Sequence, residues 1–266
     1  MPTETNVRTR WDARIRRAQE LVSKHSAIAN ALRLYLTTLE FQAELASRFE
    51  TTVDPGAPLR RQIDLSAVVS ALPTLLTIAA ERGPDQLRFE AHRMRQLGPD
   101  RWRPMVEEVL ASGDPVSVAA HDFFARACLQ PLAENLQVQL PNDPGYTRNV
   151  CPACGGLPQL AIERPGGDAP RRSLLCSLCF CEWSFPRGSC PACGVADEEK
   201  LPHYKSDEWK YIHVEACDNC QNYLKVVDLA MEPNAVPLID EAALAVLDVW
   251  ATGLGYTKII RNLIGF

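Results

Sequence analysis

Four Cys-x-x-Cys pairs within seventy residues constrain this 266-residue chain more than any other feature: Cys151/Cys154, Cys176/Cys179, Cys190/Cys193 and Cys217/Cys220. Two residues between cysteines let a tight turn aim both sulfurs at one centre, and two such turns complete a tetrahedral four-thiolate site. The pairs repeat in order. Cys151-Pro-Ala-Cys-Gly is followed 25 residues later by Cys176-Ser-Leu-Cys, and Cys190-Pro-Ala-Cys-Gly is followed 27 residues later by Cys217-Asp-Asn-Cys. That order reads as a duplicated ribbon. Gly155 and Gly194 suit a turn whose backbone N–H groups wrap a thiolate, because glycine tolerates positive φ. Pro152 and Pro191 fix φ at the first turn position.

Four such knuckles can pair in three ways. The repeat and the lower entropic cost of closing short loops favour sequential pairing; the rival joins the two Cys-Pro-Ala-Cys-Gly knuckles to each other, as in rubredoxin. The expected cofactors are two four-cysteine-bound metal ions per chain, Fe or Zn, since a tetrahedral sulfur site suits either. A thioredoxin-like dithiol needs a βαβ context, and these pairs sit among turns. Cys128 falls in a helical apolar stretch and reads as a core residue. Cys181, two residues beyond Cys179, reads as an inert, partly buried thiol rather than a spare ligand or an oxidation site. His203 and His213 flank the last knuckle and read as surface or strand histidines, because eight thiolates leave no ligand to supply.

Charge and composition narrow the function classes. Residues 1–149 carry 18 basic and 18 acidic side chains, and residues 150–266 carry 10 and 15. Eight thiolates around two divalent cations would make the second half more acidic by about four charges. A nucleic-acid binder should present a basic field, so none is expected as a partner, although Arg171, Arg172, Arg187 and the arginines of 8–17 keep a zinc-ribbon nucleic-acid reading in view. A rubredoxin-type electron-transfer module is a further alternative and requires iron. No nucleophile elbow, P-loop, dinucleotide fingerprint or His-Glu-x-x-His motif is present. Closed four-cysteine sites leave no open position for substrate, so no enzyme is expected. The longest apolar run, 65–80, contains Pro73 and four hydroxyl residues and falls short of the ~20 residues a bilayer needs. The first residues lack an apolar stretch of secretory type. Ten cysteines then imply a reducing compartment, and a cytoplasmic protein without membrane insertion is expected.

Along the chain, 11–140 reads as helical. Ile15, Ala18 and Val22, then Ala29, Leu32, Leu36, Leu39, Ala43 and Ala46, recur at three and four residues. Breaks are expected at Lys24-His25-Ser26, at 54–58, at Gly83-Pro84, at 98–100 and at Gly113-Asp114-Pro115. Asp64 or Ser66 should cap a helix running to Glu81, and Pro131 should kink or split the helix over 116–139. Short loops between amphipathic helices point to a bundle. Strands with turns dominate from Cys151 to about Val227, and 238–253 returns to helix, ended by Gly253 or Gly255. The fold class is α+β: an N-terminal α-helical bundle over 1–145, then a 146–266 domain of two tandem four-cysteine metal ribbons with a closing C-terminal helix.

The cysteine array resembles one known family, the formate dehydrogenase accessory proteins called FdhE. The resemblance rests on Cys151-Pro-x-Cys-Gly, on Cys176-x-x-Cys with Trp183, Arg187 and Cys190-x-x-Cys after it, and on Glu215-x-Cys217-x-x-Cys220-x-x-Tyr223-Leu224-Lys225. It implies a cytoplasmic, non-catalytic protein with two rubredoxin-like ribbons that binds the formate dehydrogenase catalytic subunit during maturation. It also implies metal ligation by the eight paired cysteines, with iron the metal associated with them. Trp183, Arg187, Tyr223 and Lys225 match the motif without an assigned role; packing of Trp183 between knuckles and neutralisation of thiolate charge by Arg187 are expected. Cys181 departs from the pattern, and so does Leu263 after Asn262, where the family often has Asn-Pro.

Overall fold

The computed structural model describes residues 4–24, 29–49, 52–112, 120–141, 143–166 and 170–265. Two units emerge, 1–141 with 263–265, and 142–262. The expected breaks at His25-Ser26 and at Gly113-Asp114-Pro115 lie outside the described residues, as does Asn142.

The first unit is helical: α1 (Glu4–Lys24), α2 (Ala29–Arg48), α3 (Leu59–Gln62), α4 (Leu65–Arg82), α5 (Asp85–Leu97), α6 (Pro99–Ser112) and α7 (Ala120–Gln137). Asp64 caps α4 by accepting from the Ser66 and Ala67 N–H groups at 2.8 and 3.3 Å, and Gly83 closes it through its N–H to the Ala79 carbonyl. Among the described residues, α4 alone is long and apolar enough to cross a membrane; here Val68, Leu72, Leu75, Leu76 and Ala79 are buried in the core. Two expectations change. The buried residues of α1 are Trp11, Arg14, Arg17, Ala18 and Leu21, with Ile15 and Val22 half-buried beside them. Arg14 is buried among them because it meets Glu134 of α7 in a bidentate pair at 2.8 and 2.9 Å, both side chains buried. And α7 runs on through Pro131. Proline removes the N–H that residue 127 would accept from, but the Gln42 side-chain amide donates to the Ala127 carbonyl at 2.9 Å in its place.

Among its described residues the second unit forms one seven-stranded sheet, two short α-helices and a 3-10 turn at Glu198–Lys200. Its strands are β1 (Pro158–Arg164), β2 (Arg171–Cys176), β3 (Glu182–Ser184), β4 (His203–Lys205), β5 (Ile212–Cys217), β6 (Asn222–Asp228) and β7 (Thr257–Lys258). The duplication seen in the cysteines extends to the backbone. Each copy runs knuckle, antiparallel hairpin, knuckle, third antiparallel strand, giving β1-β2-β3 and then β4-β5-β6. The copies fuse through a parallel pairing of β1 with β6, so the strand order is β3-β2-β1-β6-β5-β4, with β7 added beside β6. The chain is therefore α+β, with a helical bundle first and two four-cysteine ribbons after it.

The closing helix is two pieces, α8 (Pro237–Ala243) and α9 (Ala245–Gly253), broken at Leu244. At the break a buried ammonium reaches two carbonyls: Lys225 Nζ on β6 bonds those of Glu241 and Leu244, the latter at 3.3 Å and shared with the Leu247 N–H. Lys225 also pairs with Glu241 Oε1 at 3.0 Å and with Asp248. Lys258 of β7 pairs with the same two carboxylates. Tyr223, Gln159 and Asn262 complete the network by donating to Asp248 or Glu241 at 2.8–3.2 Å. Burial pushes the Lys225 ammonium down; at Lys258 the same effect is outweighed by Glu241 and Asp248. Two cations facing two anions, all hydrogen-bonded, make this burial tolerable. Removing one partner is then costly. Lys225→Met should lower stability by about 3–5 kcal/mol, read from urea unfolding of the full chain; a loss near zero would show that the network does not hold α8 and α9.

Candidate metal centres

The sequence folds each Cys-x-x-Cys into the same turn, and the residue after the second cysteine is its hinge. Gly155, Phe180, Gly194 and Gln221 occupy this position and all have positive φ, between 54° and 77°. At Gly155, Gly194 and Gln221 the N–H closes the turn onto the carbonyl of the first cysteine at 2.8–2.9 Å. The glycines are explained by φ and not by crowding, since a Cβ at either would meet nothing within 4 Å. Phe180 and Gln221 adopt the same conformation without that freedom. No sequence signal marked them beyond their place after a second cysteine.

The turns assemble sequentially. Cys151, Cys154, Cys176 and Cys179 form one group, and Cys190, Cys193, Cys217 and Cys220 another. In the first, Sγ atoms lie 3.6 Å apart for Cys151–Cys179, 3.4 Å for Cys154–Cys176 and 3.5 Å for Cys154–Cys179. In the second, Cys190–Cys220 and Cys193–Cys217 are 3.7 and 3.8 Å apart. A tetrahedron with metal–sulfur bonds of about 2.3 Å has an edge of about 3.8 Å, so both groups have the size and donor chemistry for a metal ion. Amide groups also aim at the sulfurs: Leu178 N–H at Cys176 (3.4 Å), Ala192 and Cys193 N–H at Cys190 (3.4 and 3.5 Å), and the Asn219 amide at Cys193 (3.6 Å). Donors placed this way favour thiolate over thiol.

The two groups differ in access. All four cysteines of the first are buried, whereas Cys193 is exposed and Cys220 half-buried. Burial pushes the thiols of Cys176 and Cys179 up, and hydrogen bonds from Cys151, Cys176 and Cys179 hold Cys154 well below the ordinary thiol range. At Cys193 burial is outweighed by the Val195 N–H, the Asn219 amide and neighbouring thiols, which bring it down to about 7.

The remaining motif residues take structural posts. Cys128 is fully buried in α7, and burial pushes its thiol up. Cys181 is buried too, but stands outside the first group of four; its carbonyl accepts the Cys176 N–H at 2.9 Å. Trp183 is buried and its Nε1 donates to the Arg148 carbonyl at 2.8 Å, tying the entry to the first knuckle to β3. Arg187 does not sit against the thiolates: it pairs with Glu163 at 2.7 Å and donates to the Pro170 carbonyl at 3.1 Å. Tyr223 and Lys225 belong to the buried charge network.

The fold also gathers residues that the sequence left apart. His203, His213 and Glu215 bring ligand atoms within 4.8 Å of one another. The β4–β5 register sets His203 opposite Glu215, and His213 shares Glu215's face two residues away. Burial of Glu215 opposes its charge but is outweighed by His213, Arg172 and His203, which hold its carboxyl near 2. Only the strand register reveals this group; spacing along the chain conceals it.

Access and acidity set an order of reactivity. A thiol-alkylating reagent should modify Cys193 first and Cys220 next, with Cys151, Cys176 and Cys179 last, as read by mass spectrometry of timed digests. Early labelling of Cys176 or Cys179 would contradict the buried first group.

With this geometry in hand, comparisons with known proteins are specific. Residues 150–187 match the model of the FdhE central domain and residues 189–264 that of the FdhE C-terminal domain. A protein named FdhE homolog from Aquifex aeolicus is 28% identical over 222 residues, covering 82% of this chain and 77% of its own length. An FdhE homolog from Pseudomonas aeruginosa is 36% identical over 44% of this chain and 40% of its own length. For the FdhE protein of Escherichia coli O127:H6 the identity is 34%, over 44% of this chain and 38% of that protein. The matched stretch thus spans well under half of those two relatives. The crystal structure of the FdhE protein from Pseudomonas aeruginosa shares the fold, with a TM-score of 0.78 over 97% of this chain and 96% of that one at 24% identity. The models of the FdhE central and C-terminal domains follow one another over the residues that hold both cysteine groups, and the fold around them resembles that of the Pseudomonas aeruginosa FdhE protein nearly end to end.

Proposed function

We propose that this protein is a non-catalytic accessory protein of formate dehydrogenase maturation. It works in the cytoplasm, binds the dehydrogenase catalytic subunit, and holds two metal ions, iron or zinc, on Cys151, Cys154, Cys176 and Cys179 and on Cys190, Cys193, Cys217 and Cys220. In this reading 1–145 is the helical domain and 146–266 the metal-binding domain. The observation that carries the proposal is the pair of four-sulfur groups in a segment that matches the FdhE central and C-terminal domain models. Each group is complete with four protein donors, which leaves no position for a substrate. Zinc would supply a fixed cross-link there, and iron the same cross-link with a one-electron couple that makes the site redox-sensitive.

The chain's own residues do the rest. The knuckle N–H groups and the Asn219 amide orient the sulfurs. The fused sheet and the Lys225–Glu241–Asp248–Lys258 network fix α8 and α9 against β6 and β7, so the ribbons present a rigid surface to a client. A zinc-ribbon nucleic-acid reading finds less support: Arg14, Arg17, Arg172 and Arg187 are each paired with an acidic side chain and are poor phosphate contacts.

Cys190→Ser with Cys193→Ser should remove the ion held by the second cysteine group and leave the ion held by the first. In cells whose own copy is deleted, the same variant should cut formate dehydrogenase activity at least about tenfold, the lower end of the loss caused by mutating even the outer partners of metal ligands. Full dehydrogenase activity with a soluble variant that has lost the metal would overturn the proposal.

A further inference from the structure

We propose that His203, His213 and Glu215 form a third metal site, separate from the cysteine groups and selective for a borderline divalent transition metal such as zinc. The geometry comes from a single hairpin. On antiparallel β4 and β5, His203 stands directly across from Glu215, and His213 precedes Glu215 by two residues on the same face. One carboxylate oxygen is the meeting point: Glu215 Oε1 lies 3.6 Å from His203 Nδ1 and 3.8 Å from His213 Nε2. The two rings are nearly parallel, with centroids 6.0 Å apart at 27°, so neither blocks the other's approach to a shared ion. Two imidazoles and one carboxylate are a donor set that suits zinc and its neighbours in the first transition row, and that is ill suited to magnesium or calcium.

Three features distinguish this group from a chance cluster. First, Arg172 binds the other oxygen, Oε2, which fixes the carboxylate plane and leaves Oε1 for the imidazoles, the role that outer partners play around metal ligands. Second, the donors are graded in exposure: the side chains of His213 and Glu215 are 8% and 13% exposed, and that of His203 48%. Two ligands are held in place and the third closes from the solvent side. With three protein donors, at least one coordination position faces water or an incoming group. Third, His203 and Glu215 line the same cleft as Cys190 and Cys217, so the site borders the more exposed of the two cysteine groups. The neighbouring cations work against affinity: Arg172 on Oε2, and Lys205, which pairs in register with His213. The third ion is therefore held more weakly than ions bound by four thiolates. This proposal does not depend on the accessory function above.

The test uses the full chain with both cysteine groups loaded, dialysed against micromolar zinc and then analysed for total metal by mass spectrometry. Wild type should retain three ions per chain. His203→Ala and His213→Ala should each weaken the third at least about tenfold while two ions remain. His203 is half exposed, so its removal leaves the fold in place and the experiment interpretable even if His213→Ala disturbs β5. Two ions in wild type, or a third that survives both substitutions, would overturn the proposal.

Discussion

Bringing four cysteine sulfurs within 4.8 Å of one another concentrates negative charge inside a protein, and the second unit is organised around that constraint. Thiolates so close repel one another unless a cation sits among them and amide groups face them. The chain supplies the amides through four turns of one design, each hinged on a residue of positive φ after its second cysteine. Each pair of turns then holds the ends of a hairpin, and the hairpin continues into a third strand. The strands are short, from two to seven residues, and small sheets of this kind lean on metal for stability. The cysteine groups share the core of the ribbons with fully buried apolar residues between the strands, Leu160, Leu174, Val214, Leu224 and Val226 among them.

Duplication explains the remainder of the sheet. Two three-stranded copies meet through the parallel contact of β1 with β6, which pairs one free edge of each. One face of the joined sheet is fastened to α8 and α9 by Lys225 and Lys258 against Glu241 and Asp248. Such a network is a poor source of stability compared with an apolar replacement, but it admits one arrangement of partners. That arrangement includes the break at Leu244, whose carbonyl the Lys225 ammonium holds. Tyr223 and Lys225, motif residues that sequence alone leaves without a role, thus act as fasteners of the closing helices.

What the sequence made legible is local. Cysteine spacing, the Asp64 cap, the Gly83 stop and the sequential grouping of knuckles all depend on residues near one another in the chain. What it concealed depends on register or on partners far away. Pro131 stays inside α7 because Gln42, 85 residues distant, serves the carbonyl that proline leaves without its N–H. Arg14 is buried on α1 because Glu134 waits 120 residues on. Arg187 meets Glu163 across a bend and not the thiolates, and His203, His213 and Glu215 converge only once β4 and β5 are aligned. Periodicity reports which face is apolar; it does not report which polar residue will find a buried partner.

The most direct test of the account is anaerobic affinity purification of the full chain from its own host, with mass spectrometry of bound proteins and metal analysis of the same sample. The account predicts a formate dehydrogenase catalytic subunit together with at least two metal ions per chain, iron or zinc. Recovery of nucleic acid or an unrelated partner in place of the dehydrogenase, or of a folded chain carrying no metal, would contradict it.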